Sequence, residues 1–193
     1  MKDPLLLLAV ILFVIFLIWK LFRRGERWGE EIYTPPEGAD ETLKNLLEKA
    51  KETSKDKEIA KKIEEILENL EDPLKKANYL CALAEFYRGP LKNKGKARSL
   101  FIKALEEYPL CKDAYRGLER LLKGGKGAKR LERIYWLFLS QVSFEEYKQA
   151  DILWLWEKLA ELYSTKLNKP KRAKAILSLI NYVKDRDKIE EQS

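Results

Sequence analysis

The chain has 193 residues, 46% hydrophobic and 36% charged, with a formal net charge of +7, two cysteines and no histidine. That balance excludes a disordered or low-complexity polypeptide. The missing imidazole removes the commonest metal ligand and general base, and two thiols fall short of a four-ligand zinc site. Lysine, glutamate and leucine abound, against nine glycines, seven prolines and four threonines, a vocabulary of helices rather than sheets.

From Leu5 to Trp19 run fifteen consecutive apolar residues, and Leu21 and Phe22 extend the run to eighteen positions across Lys20. At about 1.5 Å per residue such a helix covers roughly 27 Å, close to the hydrocarbon thickness of a bilayer. Residues 1–22 are therefore expected to form a single transmembrane anchor, meeting the lipid bilayer through residues 5–22. No small-residue cleavage site follows the run, which argues against a removed signal peptide. Lys20, Arg23, Arg24 and Arg27 outweigh the lone Lys2 before the span, so the rest of the chain is expected on the cytoplasmic face of a single-pass membrane protein.

Residues 23–40 read as a juxtamembrane linker, with Gly25, Gly29 and Thr34-Pro35-Pro36-Glu37-Gly38 favouring an extended spacer. Asp40 is placed to cap a helix that begins near Glu41, with Leu43, Leu46, Leu47 and Ala50 on one face. A second helix is expected from about Asp56 to Leu70, with Pro73 closing the pair, so that 41–73 forms one unit.

The next stretch reads Leu80-x-x-Leu83-Ala84-x-x-Tyr87, then Ala97-x-x-x-Phe101-x-x-Ala104, then Pro109. Small Ala84, Ala97 and Ala104 let two antiparallel helices approach, and Tyr87 and Phe101 fill the space between. Tyr115, Leu118 and Leu122 repeat the first-helix positions thirty-five residues on. The second helix of that copy, expected from near Ala128, departs from the pattern. A third copy reads Trp156-x-x-Leu159-Ala160-x-x-Tyr163, then Ala173-x-x-x-Leu177-x-x-Ile180.

These residues resemble the tetratricopeptide repeat, with a W-x2-L-G-x2-Y first helix, A-x3-F in the second and a closing proline. The resemblance covers about residues 74–185, as copies over 74–109, 110–147 and 148–185. It implies an all-α fold, a solenoid of antiparallel helix pairs behind the transmembrane helix. The 41–73 pair would be a degenerate capping unit, and 186–193 a polar tail. It also implies a concave face lined by first helices that grips peptides or partner helices. By register that face would present Asn78, Cys81, Glu85 and Arg88, then Asp113, Arg116, Arg120 and Lys123, then Trp154, Glu157 and Glu161. Of these, Glu85, Arg88, Arg116, Arg120, Lys123, Trp154, Glu157 and Glu161 are the candidate partner-binding residues.

Charge is uneven along the chain. Residues 37–73 hold twelve acids and seven bases, whereas 74–135 hold sixteen bases and six acids. A basic middle beside an acidic first part points either to internal pairing or to an anionic partner. Cys81 and Cys111 read as buried thiols, though a disulfide between them stays open. The cluster Ile134-Tyr135-Trp136-Leu137-Phe138-Leu139, with Phe144, Tyr147, Trp154 and Trp156, is either buried core or a partner surface.

No phosphate loop, metal cluster or nucleophile elbow is present, so neither an enzyme nor a cofactor is expected. The expectation is a membrane-tethered scaffold or adaptor with an unidentified protein or peptide partner. The alternative is a basic helical domain that binds anionic lipid or nucleic acid at the membrane; no recognised nucleic-acid motif supports the latter.

Overall fold

A computed structural model describes residues 32–190, with side chains as far as 186. The expected anchor and the first part of the linker lie outside the described residues. Among the described residues every regular element is helical, and no helix is long and apolar enough to cross a membrane.

In chain order the helices are α1 (Glu41–Thr53), α2 (Asp56–Leu67), α3 (Pro73–Arg88), α4 (Lys94–Glu107), α5 (Lys112–Leu121), α6 (Gly124–Leu139), α7 (Gln149–Thr165) and α8 (Pro170–Glu190). Local chemistry sets three of the starts. The Asp40 carboxylate accepts from the Leu43 amide at 2.9 Å, and Asp72 does the same for Lys75 at 2.7 Å. Asn93 caps α4 through the Lys96 amide at 3.0 Å. Pro73 is the first residue of α3, behind the Asp72 cap, rather than the end of the preceding pair. The reason is that a proline at the first helical position lacks only an amide the helix would not use. Two other boundaries move. α6 starts at Gly124 rather than near Ala128, and α8 continues to Glu190, through the stretch expected to be a polar tail.

Every substantial helix–helix contact joins helices one or two apart in the chain. The array is thus quasi-one-dimensional, each hairpin resting on its neighbours. The α3–α4 and α7–α8 hairpins pack most extensively, and α5–α6 least. In α3–α4, Leu83, Ala84, Phe86, Ala97, Phe101 and Ala104 are buried. Phe101 also fills the space over Gly117 of α5, where any Cβ would run into its ring. The looser α5–α6 hairpin is held by Tyr115 stacked on Tyr135, with ring centroids 4.9 Å apart. The tyrosine hydroxyls are satisfied by the Pro109 carbonyl at 2.9 Å and the Glu119 carboxylate at 2.7 Å.

The aromatic cluster divides. Tyr135, Phe138 and Leu139 are core, while Trp136 is 45% and Leu137 54% exposed. Trp136 donates its indole N–H to the Tyr163 hydroxyl at 2.9 Å and meets the Trp156 ring edge-on.

Candidate functional site

Residues 32–39 are not a free spacer. They form a strap laid across the first helices of two successive hairpins, α3 and α5. Its start is apolar: Ile32 is 2% exposed and packs against Gly89, where a Cβ would strike its side chain. Tyr33 sets its ring edge-on to Phe86, with centroids 6.0 Å apart, and donates its hydroxyl to Asp56 at 3.0 Å. Burial, with the Asp56 hydrogen bond and charge, pushes this phenol up to about 12.

Thr34, at a bend, Pro35 and Pro36 follow as irregular chain, and Pro36 is buried. The strap then turns: the Ala39 amide donates to the Pro36 carbonyl at 3.0 Å, with Gly38 at φ +80°. That backbone conformation favours glycine at this position. At the turn the Glu37 amide donates to the Asp113 carboxylate of α5 at 2.8 Å, and its carbonyl accepts from the Asn78 amide of α3 at 3.3 Å. The strap is therefore held through its own main-chain groups and its apolar side chains together, as a bound peptide would be.

Beneath it lies a charged cluster. Glu85, 7% exposed, accepts from Arg88 Nε at 2.6 Å and from Arg120 Nη2 at 2.5 Å. Arg116 pairs with Asp113 at 3.1 Å. Arg120 Nε is buried and makes no hydrogen bond. A cavity of about 220 Å³ opens between Thr34, Pro35 and Pro36 of the strap and Glu85, Arg116 and Arg120. A second cavity of about 480 Å³ continues beyond the turn, between Glu37, Asn78, Cys111, Lys112 and Asp151.

Of the sequence-derived candidates, the structure brings together Glu85, Arg88, Arg116 and Arg120. Lys123 leaves the set: α5 ends at Leu121, Leu122 turns out of the helix, and Lys123 stands exposed ahead of α6. The i, i+4, i+7 spacing from Arg116 fails because the helix stops short of the third position. Trp154 lies beside the second cavity, against Tyr115 and under the Lys112 ammonium. Glu157 and Glu161 face elsewhere, paired with Lys184 at 3.0 Å and Lys158 at 2.7 Å. The strap residues Ile32, Tyr33, Pro36 and Glu37 were not among the candidates. Their signal was an Ile-Tyr pair ahead of two prolines, too apolar for a solvated linker.

Several bases of the 74–135 segment are paired internally. Lys96 reaches Glu64 of the acidic first part at 2.9 Å, Lys76 reaches Glu107 at 2.6 Å, and Lys112 reaches Asp151 at 2.7 Å. Glu132 is drawn below the usual carboxylate range: burial acts upward but is outweighed by Tyr163, Lys169 and Arg172.

Fold and site together define an all-helical array whose first-helix face carries an irregular stretch of its own chain. Comparison with known proteins finds no match to a family model, a curated protein or a solved structure.

Proposed function

We propose that this chain is a membrane-tethered scaffold whose tetratricopeptide-like hairpins hold an extended polypeptide of a protein partner across α3 and α5, on the cytoplasmic side. The observation that carries the reading is the strap. An irregular segment with an apolar start, two prolines and an acidic turn is already seated on that face through both side-chain and main-chain contacts. A surface that accommodates this segment accommodates another of the same chemistry, and the buried Arg120 Nε–H remains as a donor for a partner oxygen. The membrane tether rests on the apolar run over residues 5–22 and its basic C-terminal flank. Lipid or nucleic-acid binding by the basic segment is the weaker reading, because Lys76, Arg88, Lys96, Lys112, Arg116 and Arg120 are drawn into internal pairs.

The test is competition in the full chain held in detergent micelles, using a fluorescent peptide with the sequence of residues 32–40. A strap loosened by Ile32→Ala and Tyr33→Ala should leave the face open to the peptide. The wild-type chain should bind at least about tenfold more weakly, since its tethered strap competes at an effective concentration on the order of 1 mM. Adding Arg120→Ser and Asp113→Ala to the loosened chain should remove binding. Equal binding to all three chains, or none to any, overturns the reading. Pelleting with acidic but not neutral vesicles, through the basic segment, would favour the lipid reading instead.

A further inference from the structure

The chain holds only two cysteines, thirty residues apart in sequence and on different hairpins. The fold brings their Sγ atoms to 3.5 Å, with Cys81 2% and Cys111 4% exposed. We propose that Cys81 and Cys111 form a redox-active dithiol that a peroxide converts reversibly to an intrachain disulfide, tying α3 to α5 beneath the strap.

Four features separate this pair from two thiols buried merely as small apolar groups. The first is the distance, which leaves about 1.5 Å to close before a disulfide length is reached. The second is the shortness of the partner helix: α5 has only ten residues and packs lightly on α6, though closely on α3 and α4. The third is access. Cys111 lines the cavity of about 480 Å³ beside Glu37 and Gly38, and Cys81 lines the cavity of about 220 Å³ under Thr34 and Pro36. A small oxidant thus has a cavity beside each cysteine, one on either side of the strap.

The fourth feature is position. Cys111 is the N-cap of α5, a place where serine, threonine, aspartate or asparagine is the usual choice. There its sulfur stands at the positive end of the helix. The hydrogen bond with Cys81 holds the Cys111 thiol below its ordinary range, against desolvation. Burial pushes the Cys81 thiol up, aided by Cys111 and by the nearby Asp113 and Glu85 carboxylates. The place of Cys111 at the N-terminus of α5 suits it to attack, which leaves Cys81 to resolve.

In the step itself, the Cys111 thiolate attacks one peroxide oxygen and the O–O bond breaks. The departing hydroxide takes up a proton as water, leaving a sulfenic acid on Cys111. Cys81 then gives up its proton, and its sulfur attacks the Cys111 sulfur. The hydroxyl group leaves with that proton as a second water. The two thiols lose two electrons, and one hydrogen peroxide becomes two waters. A thiol reductant reverses the change by exchange through a mixed disulfide.

The experiment uses the full chain in detergent, reduced, desalted and exposed to hydrogen peroxide. Titratable thiols, counted after denaturation, should fall from two to none, and peptide mapping should find Cys81 linked to Cys111 within one chain. Dithiothreitol should restore both. Cys81→Ser should accumulate a sulfenic acid on Cys111 that dimedone captures. Cys111→Ser should slow oxidation of the remaining thiol by at least about tenfold. Both thiols surviving peroxide, or a bond joining two chains, overturns the proposal. The wild-type mapping decides the matter even where a serine variant fails to fold.

Discussion

Tyr33 and Gly89 decide whether the strap stays down. An unfolded tyrosine ionises near pH 10, whereas Tyr33, buried beside the Asp56 carboxylate, is pushed up to about 12. Its neutral form is the one the folded chain prefers. The stabilisation it contributes is therefore whole below about pH 10 and is lost as pH rises toward 12. Tyr79, buried and donating to the Asp40 carboxylate at 3.0 Å, follows the same course and is also pushed up to about 12. An absorbance titration of phenolate formation should show late-ionising tyrosines. Tyr33→Phe should remove one of them, and an unchanged titration would place Tyr33 in solvent. Gly89→Ala asks the complementary question, because a Cβ there runs into Ile32. Proteolysis within residues 32–39 should become faster while the helical array stays folded.

Helix pairs in this protein depend on small residues where backbones come close. Ala97 is fully buried in α4 and Ala173 is 5% exposed in α8. Enlarging either to leucine should cost about 1–3 kcal/mol by overpacking, read as a lower denaturation midpoint. If both variants melt like wild type, these residues do not sit between helices. Gly117→Ala belongs to the same class, since the added methyl meets the Phe101 ring. Three helix starts are set by local caps, as Asp40, Asp72 and Asn93 each accept from an amide three residues on, but only the first of these is read from the sequence. Helix ends are less legible still. α5 stops at Leu121, while its charge pattern continues to Lys123. Periodicity reports which face a helix would have and says little about where the chain leaves it.

At the scale of the molecule, contacts reach only one or two helices along the chain, so stability is a sum of neighbouring hairpins rather than one shared core. Such arrays open locally, and the order follows packing. Amide hydrogen exchange should be slowest in α3–α4 and α7–α8, and faster in α5–α6. Uniform protection across the three hairpins would mean that the array unfolds as one unit. The same looseness bears on the dithiol, because α5 carries Cys111 and must shift for the bond to close.

The amino-acid sequence by itself determined the helical class, the starts of α1 and α2 and the small–large alternation within the hairpins. Each of these depends on residues within one or two turns of each other, where propensity, capping and periodicity act directly. The apolar run over residues 5–22 is legible in the same way, through its length and its flanks. The site belongs to the other kind of information. Glu37 meets Asp113 across seventy-six residues, Arg120 meets Glu85 across thirty-five, and the two sulfurs meet across thirty. Register placed Glu85, Arg88, Arg116 and Arg120 on first-helix faces, but it could not say that a strap would cover them. Nor could it say that Glu157 would turn toward Lys184, or that Lys96 would reach back to Glu64. Those outcomes depend on how successive hairpins stack. Stacking is set by side-chain volume summed over surfaces that lie far apart in the chain, which no local pattern encodes.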